Sequence, residues 1–164
     1  MQPTIHAIDI VSAQFPADAA RVRALIEEYV DWLALDLAFQ GLAHELDHLD
    51  TVYGAPDGFV LLATVDGEAA GCVACKRYGE GVGEVKRLYV RPAFRGRGLG
   101  FQLLDSLLQR ARRNGTQCVL LDAVPQTIDA QRMYLRMGFQ EVPTYYASPL
   151  AGTRYYQYRI GKLE

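Results

Sequence analysis

The chain has 164 residues, 17 Lys and Arg against 19 Asp and Glu, a net charge of −2, and hydrophobic side chains at half of its positions. That is the size and composition of one domain spanning residues 1–164, with a substantial core. It gives no overall electrostatic reason to bind nucleic acid or an anionic membrane, and no apolar run reaches membrane-spanning length.

In chain order, Thr4 to Val11 reads as a strand. Phe15-Pro16-Ala17-Asp18 opens a long helix, with Val22, Leu25, Ile26, Tyr29, Leu33 and Leu37 at helical spacing. Leu42 to Leu49 reads as a second, shorter helix, and the turn-rich stretch Tyr53 to Gly58 follows it. Phe59 to Val65 and Glu68 to Tyr78 read as strands joined by the hairpin signal Asp66-Gly67. After a turn over 79–83 come a strand over 84–90, a helix over 98–114, a strand from Cys118 to Ala123 and a helix over 128–137 with Gly138 as its C-terminal cap. Gln140 to Tyr146 and Arg154 to Ile160 read as two closing strands. Periodicity alone gives an α/β domain with a mixed sheet.

Arg95-Gly96-Arg97-Gly98-Leu99-Gly100 lies between a strand and a helix, where backbone N–H groups and a helix N-terminus can hold a phosphate. From Lys86 to Arg97 there are five basic residues and no acidic one, so an anionic, phosphate-bearing cofactor is expected. The loop is not a Walker A sequence, because no Lys-Ser or Lys-Thr follows the glycines. Nor is it a dinucleotide fingerprint. Asp122 stands near the right distance for one, but the glycines read G-x-G-x-G rather than G-x-G-x-x-G.

Arg95-x-x-Gly98-x-Gly100 resembles the [QR]-x-x-G-x-[GA] acyl-CoA loop of the GNAT superfamily of acyl-CoA-dependent N-acyltransferases. Leu88-Tyr89-Val90-Arg91-Pro92 resembles the exit of that family's fourth strand, and Ala130 to Phe139 resembles its second motif, A-x-x-x-Y-x-x-x-G-F. The resemblance is specific over residues 84–140. It departs at Thr127, where the family often has Asn. It implies a GNAT-like fold: a mixed, mostly antiparallel sheet with splayed central parallel strands and helices on both faces. It also implies acetyl-CoA as acyl donor, entering the splay. The backbone of Gly96, Gly98 and Gly100, next to Leu99, would meet the phosphates, with charge from Arg95 and Arg97. Leu88, Tyr89 and Val90 would offer main-chain groups to the pantetheine, with Ala130 and Thr127 alongside the cofactor.

Direct attack on a thioester needs a deprotonated amine and a protonated leaving sulfur. An amine of pKa about 10.4 is neutral roughly once in 10³ molecules at neutral pH, which adds about 4–5 kcal/mol to the barrier. Glu84, at the start of the fourth strand, is the candidate base, and a solvated surface acid is its alternative. Tyr134, the tyrosine of the second motif, is the candidate acid, and a packing tyrosine is its alternative. By the same resemblance, Tyr29, Trp32, Phe39, Glu45, Tyr53, Arg87, Tyr145, Arg154, Tyr155 and Tyr156 fall in the regions that build the acceptor site. They suit a small-molecule amine or amino-acid-like substrate, and a peptide amine equally.

Other readings compete. His44-Glu45-Leu46-Asp47-His48 satisfies the zinc-peptidase pattern H-E-x-x-H, but a turn and hairpin follow where a zincin needs a helix. A non-catalytic acyl-CoA sensor would keep the loop and transfer nothing. Cys72 and Cys75 read as C-x-x-C, yet in a strand they face opposite sides and suit core packing. No metal is expected. The odd cysteine count and the absence of a signal-peptide pattern over residues 1–6 suggest a cytoplasmic protein, with a homodimer left open.

Overall fold

In the computed structural model, which describes residues 6–161, seven strands form one sheet. They are β1 (Ile8–Ser12), β2 (Phe59–Val65), β3 (Glu68–Gly79), β4 (Val82–Val90), β5 (Cys118–Ala123), β6 (Gln140–Val142) and β7 (Arg154–Arg159). Their order in space is β1-β2-β3-β4-β5-β7-β6, and every neighbouring pair is antiparallel except β4 and β5. Five helices accompany them: α1 (Ala19–Leu33), α2 (Leu42–Asp47), α3 (Leu49–Val52), α4 (Leu99–Arg113) and α5 (Ile128–Met137). The fold is the expected mixed, mostly antiparallel α/β arrangement.

The strand β2 is apolar apart from Thr64 and buried throughout, because helices cover both sides of the sheet. Val60 and Leu62 meet Val22, Leu25 and Ile26 of α1. The alternating Leu61 and Ala63 meet Leu103, Leu104 and Leu107 of α4 on the other face. Tyr134 of α5 joins this second core, together with Val85 of β4 and Leu121 of β5.

The predicted start of the first strand at Thr4 lies outside the described residues, and several other boundaries differ from expectation. The long helix ends at Leu33, with Ala34 in the left-handed region, so Leu37 lies beyond it. The short second helix breaks at His48, whose φ of −135° is not helical, giving α2 and α3. The turn before β4 is only Glu80-Gly81, since Gly79 already pairs with Val82. The strand predicted over 140–146 stops at Val142, because Pro143 follows and has no N–H for the ladder. The hairpin Asp66-Gly67 has both residues at positive φ, 52° and 81°, as its two-residue turn requires.

Two irregularities of β4 shape the rest. It pairs with β5 only from Val82 to Glu84 and then runs on to Val90 without it. Against β3, Tyr89 lies opposite Cys72 and Lys86 opposite Ala74, so Arg87 and Leu88 together face Val73. This is a bulge, with Arg87 at φ 61°.

Cys72 and Cys75 are buried on opposite faces, one in each core. Burial pushes both thiols up from the ordinary value of 9.0 to about 12. The folded state therefore holds these protons after the unfolded chain has released them. Their effect on stability is level below pH 9 and becomes a loss as pH rises towards 12, at about 1.4 kcal/mol per pH unit for each thiol. We expect urea midpoints followed by circular dichroism to stay level between about pH 7 and 8 and fall steeply above 9, with a shallower fall in Cys75→Ala.

Candidate active site

The glycine loop leaves β4 through a short turn over Pro92–Phe94 and enters α4 at Gly98. Gly96 and Gly98 have φ of 80° and 75°, and a Cβ built on either would meet no atom within 4 Å. The left-handed backbone requires glycine here, and the space over the loop is open. The first turn of α4 has no acidic residue and no side-chain cap, so its N–H groups are available to an anion. A cavity of about 400 Å³ lies over this loop, lined also by Arg95, Leu99 and Gly100. These observations fit a phosphate-bearing ligand. Arg95 is partly committed: its Nε donates to the Val90 carbonyl at 2.9 Å, and its guanidinium lies 5.1 Å from the Trp32 ring and 5.8 Å from Tyr89. Arg97 instead lies over Phe94.

From the loop a second cavity of about 290 Å³ follows β4 past Val90, Tyr89 and Leu88, facing Ala130 and Thr127. It leads to a small chamber of about 50 Å³ where β4 and β5 part. Thr127 donates its hydroxyl to the Val124 carbonyl, 2.8 Å away. Tyr134 lines the chamber from the α5 side, and among the described residues its hydroxyl makes no hydrogen bond. Burial pushes its phenol well above the usual range, so it stays protonated.

Glu84 and Lys86 alternate with Val85 and point to the α1 side of the sheet, as does Asp122 beside Leu121. Glu84 is buried; its Oε2 accepts from the Tyr145 hydroxyl at 2.7 Å, and Lys76 and Lys86 stand 3.8 and 3.7 Å from its oxygens. Lys86 also stands 3.7 Å from Asp122, which accepts from the Tyr146 hydroxyl. Burial, then the neighbouring carboxylates, push both phenols up and keep them as donors. Lys86 and Asp122 line the chamber, whereas Glu84 sits one side chain behind it. Sequence reasoning missed Lys86, Asp122 and Tyr146 as partners. The one available signal was a charged residue on each of two predicted core strands.

The residues assigned to the acceptor region separate. Tyr29 and Trp32 line the cavities, Phe39 is exposed, and Tyr145 and Tyr155 pack edge to face beside Glu84. Arg154 is exposed, 3.9 Å from Glu141. Tyr53 and Tyr156 are core residues; the Tyr156 hydroxyl donates to buried Gln131, which in turn holds the Val124 carbonyl. Arg87 and Glu45 are bound to each other rather than to solvent. Two parallel hydrogen bonds of 2.9 and 2.8 Å join them, and Gln40 accepts a third from Arg87. This removes Glu45 from the H-E-x-x-H pattern. The His44 and His48 rings stack on each other, and His48 falls outside the helix.

The sequence profile described as the acetyltransferase (GNAT) family matches residues 23–139. An uncharacterized N-acetyltransferase of Schizosaccharomyces pombe is 34% identical over 157 residues, covering 94% of this chain and 96% of its own length. In fold, a GNAT-family acetyltransferase from Staphylococcus aureus superposes with a TM-score of 0.79 at 19% identity, covering 94% of this chain and 100% of that one. The PaiA N-acetyltransferase of Thermoplasma acidophilum, solved in complex with coenzyme A, superposes with a TM-score of 0.71 at 17% identity, covering 93% and 99%.

The Arg87–Glu45 pair provides a test of the bulge. Both side chains are under a tenth exposed, at 4% and 8%. Burial opposes the guanidinium charge, but the Glu45 contact outweighs it and holds Arg87 ionised. Glu45→Ala leaves that charge buried without a partner and should cost about 3–5 kcal/mol in urea unfolding. The double replacement Glu45→Met with Arg87→Met should recover much of the loss.

Proposed function

This chain belongs to the acetyltransferase (GNAT) family and is an acetyl-CoA-dependent N-acetyltransferase; we propose that it acetylates a primary amine of a small-molecule or amino-acid-like acceptor by direct attack within a ternary complex. The observation that carries the reading is the Tyr134 hydroxyl: protonated, without a hydrogen bond among the described residues, and lining the chamber where the strands part.

In this reading the N–H groups of Gly96 to Gly100 and the start of α4 hold the phosphates, and the edge of β4 at Leu88, Tyr89 and Val90 aligns the pantetheine. Acetyl-CoA supplies a thioester whose thiolate has a pKa near 8.5, a good enough leaving group that no covalent enzyme intermediate is needed. Tyr134 gives that sulfur its proton and regains one from the attacking nitrogen as the amide forms. Glu84 draws the proton from the acceptor ammonium, its carboxylate oriented by the Tyr145 hydroxyl. The Tyr145, Tyr146 and Tyr155 cluster, beside two carboxylates, suits a cationic amine better than a neutral acceptor. Among the described residues no helix is long and apolar enough to cross a membrane. The odd cysteine count, with Cys72 and Cys75 buried on opposite faces, supports assigning the reaction to the cytoplasm.

Acetyl-CoA consumption over a panel of amines, amino acids, aminoglycosides and peptides, with hydroxyl-only analogues beside them, tests the acceptor class. A panel in which only hydroxyl compounds react would overturn it. Tyr134→Phe should lower kcat by about 10²-fold with CoA affinity unchanged by calorimetry. Because burial raises the Tyr134 phenol above its ordinary 10.0, the wild-type kcat should show no alkaline fall up to that pH. Gly98→Glu adds bulk and a carboxylate where the phosphate belongs, and should abolish CoA binding with the circular dichroism spectrum retained.

A further inference from the structure

We propose that Lys86 is an internal acetyl acceptor: when no amine substrate is present, the protein acetylates its own Lys86 Nζ. This rests on the acetyl transfer assigned above and adds a second destination for the same group.

Three observations converge on Lys86. Its ammonium stands 3.7 Å from Glu84 Oε2 and 3.7 Å from Asp122 Oδ1. Among the described residues it makes no hydrogen bond, although its side chain is only 10% exposed. It also lines the small chamber that Tyr134 lines from the opposite face of the sheet. An amine that attacks in this chamber needs carboxylates within reach to take its proton and an acid across the gap to meet the departing sulfur. Lys86 already has both. The chemistry of the residue itself points the same way. Of the 17 basic residues, fourteen are arginines and three are lysines, at positions 76, 86 and 162. A guanidinium holds its proton at any working pH and cannot attack a thioester, whereas a lysine can give its proton up. Two basic residues line the chamber: Arg87 is held by Glu45 and Gln40, and Lys86, the one between these carboxylates, is a lysine.

The step balances without a further reagent. A carboxylate, Asp122 or Glu84, takes one proton from the Lys86 ammonium. The freed amine forms an N–C bond to the acetyl carbonyl carbon as the C–S bond breaks. The sulfur leaves as CoA thiol with a proton supplied by Tyr134, which regains one from the second N–H of the attacking nitrogen. The products are Nε-acetyl-Lys86 and CoA. The modified side chain is neutral and larger, in a chamber of about 50 Å³. It withdraws the cation between Glu84 and Asp122 and fills the place of an incoming amine, so the mark switches the enzyme off when substrate is scarce.

Purified protein freed of acetylation by lysine deacetylase treatment is incubated with acetyl-CoA and no amine, then digested and analysed by mass spectrometry. Label should accumulate at Lys86 at least about tenfold faster than at Lys76 or Lys162. Asp122→Asn combined with Glu84→Gln should slow it by about tenfold or more with CoA affinity kept, and Gly98→Glu should abolish the excess at Lys86. An added amine that is acetylated should protect Lys86. Equal labelling of all three lysines, or labelling of Lys86 that persists in Gly98→Glu, would show plain chemical acetylation and overturn the proposal. An unlabelled Lys86 in protein that acetylates an added amine overturns the internal acceptor alone. If neither Lys86 nor any amine of the panel is labelled in protein that binds CoA, the assigned acceptor class falls with it.

Discussion

Everything in this site depends on β4 and β5 separating after three paired residues. Beyond Glu84 the β5-facing edge of β4 has no neighbouring strand, although β4 continues to Val90. Peptide groups in a protein interior must find partners, so this edge is a template for an extended chain. The Val90 carbonyl is already met by Arg95, and the remaining edge runs directly away from the glycine loop. The same separation opens the sheet from both faces. Tyr134 enters from the α5 side, and Lys86 and Asp122 from the α1 side. In the proposed reaction the acid and the amine would therefore meet through the plane of the sheet, something a fully paired strand would forbid.

The separation has a local cause. Arg87 adopts a left-handed backbone, which costs a non-glycine residue about 1–2 kcal/mol, and the bulge it makes increases the twist of β4. Several contacts offset that cost. The side chain forms the bidentate pair with Glu45 and a further bond to Gln40, and the Cys72 thiol donates to the Arg87 carbonyl at 3.3 Å. Glu45 belongs to α2 and Gln40 to the turn before it, so the segment between α1 and β2 is tied to the point where β4 bends. A change of position in α2 would be felt at the strand edge. The histidine pattern around Glu45 is thus a by-product of a helix that needs one carboxylate facing inward.

The geometry of the loop, strand and helix assigned to the acyl donor was legible because its signals are local. Glycines at positive φ, a tyrosine four residues after a small residue on one helix face, and a strand leading into the loop all follow from short-range geometry. The acceptor half was not, because it depends on partners far apart in sequence. Tyr145 meets Glu84 across 61 residues and Tyr146 meets Asp122 across 24. The segment carrying both tyrosines reads as strand by composition, but Pro143 ends the ladder and lets the rings fold over the carboxylates. Tyr53 and Tyr156 failed as acceptor residues for the opposite reason. Aromatic composition signals a binding surface and a core equally well, and only packing tells them apart.

The distribution of positive charge separates frame from reaction. Arg87 grips Glu45 through a planar fork, and Arg91 grips Glu28 in the same way while donating to the Ala69 carbonyl. Arg95 is held between a carbonyl and two rings. Each uses fixed geometry and a permanent charge, the two properties in which guanidinium exceeds ammonium. Lys86 is different: it has no fork-like partner and meets its two carboxylates at a distance longer than a hydrogen bond. A side chain held that loosely contributes little rigidity. What it can contribute is a proton or a nitrogen, and it stands on the stretch of the sheet where the proposed transfer calls for both.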